Sequence, residues 1–211
     1  MAFLLLLAAM PALSEIRSDQ ALSPVVIGAA PVRQEFARVA SDGTNFFAVW
    51  RTSTASNSVI GGGRVSPAGE LLDRPSILFA SGAATTLGNP DVFFVGGNFL
   101  VVYGSGTSRI ARRVSREGRF VDQQTVVINS PIYWGQLATN GNNLLMVTSA
   151  NSVRMLAADG TPLGADRVLS NVAFHSNPSV TSNGSQYLIA EADRSLYLAK
   201  DGGRNRTLVA A

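Results

Sequence analysis

Cysteine is absent from the 211 residues, which removes disulfides, thiolate nucleophiles and cysteine-ligated metals from consideration. His175 is the sole histidine, so a multi-histidine metal site is excluded, and a surface or packing role fits it better than general-base work. Lysine is nearly missing too: of 17 basic residues only Lys200 is not Arg. Charged residues amount to 15% and hydrophobic ones to 46%, too apolar for a disordered chain. After the first residues no window carries a sustained 3.6-residue period, so helix is expected to be nearly absent. No later apolar run approaches the roughly 20 residues of a membrane span. There is no glycine-rich phosphate loop, nucleophile elbow or calcium loop. The paired carboxylates of glycosidase chemistry do not stand out either; Glu191 and Asp193 are merely close in sequence. No cofactor and no catalytic residue are expected.

The formal charge is +3. The one dense basic cluster is Arg109, Arg112, Arg113, Arg116 and Arg119. Side chains alternate along a strand, so these residues divide between two faces and make no continuous stripe for a phosphate backbone. A solvated sheet surface is expected, and no nucleic-acid partner.

Residues 1–14 read as an export signal. Ala2 to Met10 is apolar throughout, and Ala12-Leu13-Ser14 follows Pro11 in the small-x-small manner of a signal-peptidase site. No Lys or Arg precedes the run, which places the true start upstream or makes Met1 a false initiator. A buried N-terminal strand is the competing reading. Residues 15–23 then form a linker, and the mature protein is expected to be secreted, periplasmic or at the cell surface.

What is plentiful is turn-forming glycine, 20 residues in all, and it recurs in step. Val39–Trp50, Val92–Tyr103, Leu137–Thr148 and Val180–Glu191 align on Gly43, Gly96, Gly141 and Gly184. A second landmark, Arg64–Gly69, Arg113–Gly118, Met155–Gly160 and Leu198–Gly202, follows in each copy. Asp-Gly, Gly-Gly and Asn-Gly supply the positive φ of tight hairpins, and Asp42, Asp159 and Asp201 beside the glycines suit turn hydrogen bonding. The flanking Phe, Val, Leu and Tyr residues suit a buried pleated surface. In the second copy the strands are expected near 91–95, 98–103, 109–115 and 123–129.

Four short antiparallel strands per unit of about 45 residues is the size of a propeller blade. The expected fold is therefore all-β, a four-bladed β-propeller or part of a larger ring. The blades are expected at about 36–89, 90–135, 136–177 and 178–211, with an outer strand near 24–35. A β-sandwich, the competing architecture, does not require one motif four times. Pro24–Gly28 reads as an outer strand closing the ring. Because Arg206–Ala210 already serves the fourth copy as outer strand, the simplest account is a chain holding the first four blades of a longer ring. A genuine four-blade ring and an open arc completed by a second chain are the alternatives.

The motif around Pro90, Val92, Gly96, Phe99 to Tyr103 and Arg113 to Gly118 resembles the repeats of secreted bacterial β-propeller proteins. The resemblance spans about residues 24–211. The last copy departs most, lacking the Arg and ending its second strand in Ala190-Glu191. The resemblance implies a fold and an extracellular setting but no activity. Ser41-Asp42-Gly43 does not match the aspartate-box turn of sialidase-like propellers.

Propeller topology would put the short glycine turns on one face. The strand two to strand three loops and the blade connections (51–58, 81–89, 129–135 and 170–177) would lie on the other. Variable loops on a regular scaffold are where binding resides. Candidate ligand contacts are Arg51, Tyr133, Trp134, His175 and Arg194, with Tyr133 and Trp134 read equally well as wedges between blades. The leading expectation is a non-catalytic extracellular binding or interaction module for a polysaccharide or envelope protein. A fragment of a propeller glycoside hydrolase or lyase, and a structural spacer in a larger surface protein, are the alternatives.

Overall fold

The computed structural model describes residues 33–129, 135–148, 152–169 and 178–190, and the backbone alone of 207–210. The expected export signal, the linker and the outer strand Pro24–Gly28 lie outside these residues, while 33–35, expected at the end of that outer-strand region, instead open the first strand of the first sheet. So do Gly202 and the candidates Tyr133, Trp134, His175 and Arg194.

The described chain is all-β, with antiparallel sheets and no helix. β1 (Arg33–Ser41), β2 (Phe46–Ser53), β3 (Asn57–Val65) and β4 (Ile77–Ala83) form the first sheet, each strand paired with the next. β5 (Asp91–Val95), β6 (Asn98–Ser105), β7 (Ser108–Val114) and β8 (Val126–Asn129) form the second. The third contains β9 (Gly135–Thr139), β10 (Leu144–Thr148), β11 (Ser152–Leu156) and β12 (Arg167–Val168). The fourth has three described strands, β13 (Ser179–Ser182), β14 (Tyr187–Ala190) and β15 (Thr207–Ala210), and no sheet closes on itself.

Two details depart from the sequence reading. β8 begins at Val126 rather than near residue 123, because the chain from Phe120 to Asp122 is engaged in holding β7. Phe120 bridges to Val114, and the Asp122 carboxylate accepts the backbone N–H of Arg113. β15 also differs from the expected outer strand. It is hydrogen-bonded directly to β14, the place occupied by the third strand in the other sheets.

Glycine turns set the hairpins. Gly43, Gly69, Gly96, Gly118, Gly141, Gly160 and Gly184 all have φ between +57° and +97°, a conformation that costs other L-residues about 1–2 kcal/mol. Asp42 reinforces its turn: Oδ1 accepts the N–H groups of Thr44 and Asn45 at 2.8 and 2.7 Å. Asp159 Oδ1 likewise accepts from Thr161 at 2.8 Å.

Strand alternation then directs apolar side chains to both faces of each sheet, so each sheet must be covered twice. The sheets meet this need by stacking in chain order. Phe47, Val49 and Ile60 of the first sheet pack on Val92, Phe99, Val101 and Tyr103 of the second. The opposite face of the second sheet, Val95, Leu100, Val102 and Ala111, packs on Leu137, Leu144, Met146 and Leu156 of the third. Ala138, Leu145, Val147 and Val153 then meet Tyr187 and Ile189 of the fourth. Three successive interfaces differ from the single interface of a two-sheet sandwich. Each side chain fully buried there contributes about 1.5–3 kcal/mol. The aromatic rings interlock across the first interface, with the Phe47 and Phe99 centroids 5.0 Å apart. The buried Tyr103 hydroxyl donates across it to the Phe79 carbonyl at 3.3 Å. The first strands adjoin in the same order, β1 beside β5, β5 beside β9 and β9 beside β13.

Candidate functional site

The leading ends of β1, β5 and β7 and the trailing end of β2 carry a band of charged side chains. β1 explains its local shape. Its register against β2 slips between Glu35 and Arg38, and within that bulge Phe36 has φ +55°, the one non-glycine among the described residues in the left-handed region. A bulky residue there is a conformational outlier, and such outliers gather at functional sites. The bulge re-aims the strand so that Glu35 faces Arg51, its register partner on β2.

Arg51, the one sequence-proposed contact that falls within the described residues, is thereby committed. Its Nε donates to Glu35 Oε1 at 3.1 Å, and Nη1 donates to the Leu87 carbonyl in the connection to the second sheet at 2.9 Å. Arg33 and Ser53 bind the same carboxylate. The Arg51 guanidinium also lies 4.8 Å from the centroid of the Phe36 ring, within cation–π range. Glu35 is accordingly held below the ordinary carboxylate value, first by its hydrogen bond from Arg51, with burial opposing and Ser53 assisting.

A second cluster lies beside it. Asp91, at the start of β5, accepts Arg38 Nε from the first sheet at 3.3 Å and Arg109 Nη2 from β7 at 3.1 Å. Arg109 Nη1 continues to the Gly135 carbonyl at the start of β9, 2.7 Å away. One carboxylate and two guanidiniums thus tie together the first three sheets. Burial pushes the Asp91 carboxyl above its ordinary value, although both arginines pull it down. Burial also lowers the Arg109 guanidinium, against the pull of Asp91. Both partners therefore lose hydration that the pairing only partly replaces, as expected of ionic groups removed from water.

The opposite ends of the sheets carry a different ionic pattern. Arg64 and Asp73 pair at 2.7 Å, and Arg113 and Asp122 at 2.6 Å. In each case the same carboxylate accepts the arginine's own backbone N–H. Arg64 also donates to the Arg116 carbonyl in the second sheet's turn, and a Cβ on Gly118 would sit 2.8 Å from Arg64 Nε. Arg112 stacks 3.6 Å over Phe120 and Arg116 lies 4.8 Å over Phe94. Within the basic cluster expected to be a solvated surface, Arg109, Arg112 and Arg113 are instead half-buried against a carboxylate, a carbonyl or a ring, whereas Arg116 and Arg119 are exposed as expected. Regular turns and structural ion pairs fill this end.

The charged band therefore contains Phe36, Arg38 and Asp91, none of which stood out in the sequence, together with Arg109, which the sequence placed only in a solvated basic cluster. Their juxtaposition depends on the bulge in β1 and on sheet stacking, and neither has a local signature. Among the described residues no three His, Cys, Asp or Glu side chains gather as a metal would require. Also among the described residues, no helix is long and apolar enough to cross a membrane. No protein-family model matches the chain, and no curated protein sequence does.

Proposed function

We propose that the chain is a non-catalytic extracellular binding module built on a β-propeller, with its ligand received at the charged band around Phe36. The propeller reading rests on the front-to-back stacking of the sheets and on the sequential adjacency of β1, β5, β9 and β13. Radial repetition of small antiparallel sheets arranges first strands in this way.

The observation that carries the binding reading is Phe36. It is a partly exposed aromatic ring held in a left-handed backbone conformation at the end of the stack where the connections vary. Strain of about 1–3 kcal/mol at one residue persists only where the surroundings over-determine it. Here Glu35 and Arg51 clamp the bulge from both sides. Arg33 and Arg38, close to Phe36 along β1, keep much of their side chains in solvent. A flat apolar ring flanked by solvated guanidiniums fits an acidic polysaccharide, which offers sugar faces for stacking and carboxylates for pairing. The engagement of Glu35 and Asp91 by arginines supports binding over hydrolysis, since each carboxylate is already occupied by guanidinium donors.

The full chain, applied to a glycan array and to a pull-down from envelope extract, tests the reading. Retention of acidic glycans is expected, with Phe36→Ala and Arg38→Ala each weakening it at least about tenfold. Thr44→Ala in an opposite turn should leave it unchanged. Blank results in both assays, or a loss that follows the turn substitution, would remove the proposal. Capture of an envelope protein without glycan retention would replace the ligand class.

A further inference from the structure

The two faces of each sheet are not alike. The front, directed at the following sheet, carries Phe47 and Val49 in β2, Leu100 and Val102 in β6, and Leu145 and Val147 in β10. The back, directed at the preceding sheet, carries Phe99, Val101 and Tyr103 in β6, Leu144 and Met146 in β10, and Tyr187 and Ile189 in β14. Aligned on the turn glycines, the back of the first sheet corresponds to Val39, Phe46, Ala48 and Trp50. The β1–β2 register agrees, with Val39 directly opposite Ala48.

These equivalent positions differ sharply in exposure. Val39 is 64% exposed, whereas Val92 and Leu137 are 7% and 8% exposed. Phe46 is 42% exposed, whereas Phe99, Leu144 and Tyr187 are 0%, 0% and 7% exposed. At the other end of the stack Leu188 is 40% exposed, and its equivalents Phe47, Leu100 and Leu145 are at most 2% exposed. The described stack thus has one uncovered back and one uncovered front. Three interfaces within the same molecule show that such faces are complementary. Among the described residues both are uncovered together, so they do not satisfy one another there.

We infer that the back of the first sheet is a docking surface for the front of the fourth sheet of a second copy, formed head to tail. This inference rests on register and packing and is independent of the ligand-binding reading. Association of this kind is heterologous, since different patches meet, and it either closes or grows into an open filament. The described residues of two copies together carry eight sheets, within the roughly four to eight that radial β-sheet assemblies hold, so the closed pair is the expected product. Closure covers both faces in both copies and leaves no apolar sheet face of this kind in water.

Light scattering coupled to size exclusion on the full chain is expected to show a dimer. Val39→Lys acts on the back face and Leu188→Lys on the front face. Both positions are open in a single copy, so folding tolerates each substitution, which circular dichroism melts confirm. Each variant alone should weaken association about 100-fold or more, because a charge would be buried without a partner. Mixing the two variants is the decisive arm. The back-face variant retains a sound front and the front-face variant a sound back, so a one-to-one complex should form through one sound junction, tighter than either variant with itself and weaker than the wild-type closed pair. A wild-type chain that stays monomeric overturns the inference. So does a dimer indifferent to both substitutions, or one that mixing fails to restore, since that would mark a like-to-like contact.

Discussion

Gly96 and Gly97 are neighbours in one hairpin turn, and they should respond very differently to a single methyl group. Both have positive φ, +57° and +80°, so alanine at either position carries a backbone cost of about 1 kcal/mol or slightly more. Their surroundings diverge. A Cβ on Gly97 meets nothing within 4 Å, whereas one on Gly96 would lie 2.6 Å from Ala158 Cβ in the third sheet. Gly96 N–H also donates across to the Gly141 carbonyl at 2.9 Å, which fixes the separation of the two turns. Ala158 has no flexible end to swing aside, so relief requires the second and third sheets to part locally. Overpacking of this kind adds about 1–3 kcal/mol. Gly97→Ala is therefore expected to cost about 1 kcal/mol and Gly96→Ala about 2–4 kcal/mol, read from urea unfolding followed by circular dichroism. Adding Ala158→Gly to Gly96→Ala should recover most of the excess and appear as a coupling of about 1–3 kcal/mol in the double-mutant cycle. Equal costs for the two single variants, or additivity in the cycle, would refute the close approach of the turns and the stacking built on it.

Acid titration separates two carboxylates of opposite sign. The Arg113 guanidinium holds Asp122 below its ordinary 3.8, so its stabilising contribution is complete above that value and is lost as pH falls through the lowered folded one. Asp122→Asn should therefore lose about 1–2 kcal/mol at neutral pH, moderated by solvent, and show a shallower decline in acid. Asp91 is raised by burial, so the folded state takes up its proton first and gains stability as pH falls from that raised value toward 3.8. Asp91→Asn removes this gain and should make the acid decline steeper; parallel acid profiles for the two variants would contradict the assignment. Tyr103→Phe, which strips the Phe79 carbonyl of its donor across the first interface, is expected to cost about 0.5–1.5 kcal/mol in the same urea assay.

What could be read from the sequence was local. The strand pattern of the second copy follows from Gly96 and Gly118 and the alternating residues around them. The observed strands fall within a few residues of those expected. The Arg–Asp pairs had a signal that single landmarks concealed: Arg64 and Asp73 are nine residues apart, as are Arg113 and Asp122. In the third copy the equivalent places are Met155 and Gly164, so both partners change together, and Arg154 pairs with Asp166 instead. Arg51 was legible as a residue of the connection end. Its commitment to Glu35 was not, because a slipped register in β1 brings the two together. Phe36 and Asp91 escaped for a related reason. Their significance lies in a bulge and in the proximity of separate sheets, which depend on packing over distances that no short window of sequence reports.

Every junction in the stack joins the same kind of front to the same kind of back, and this bears on how such a gene can change. A duplicated segment of one meander would arrive with a matching socket on either side. Insertion or loss of a whole unit would then disturb only the two junctions it touches. Interactions confined to nearest neighbours make stability close to a sum of local terms, so the count of units can drift while each retained junction remains intact. Length becomes a variable of the lineage, and selection can act on the residues of each connection one unit at a time.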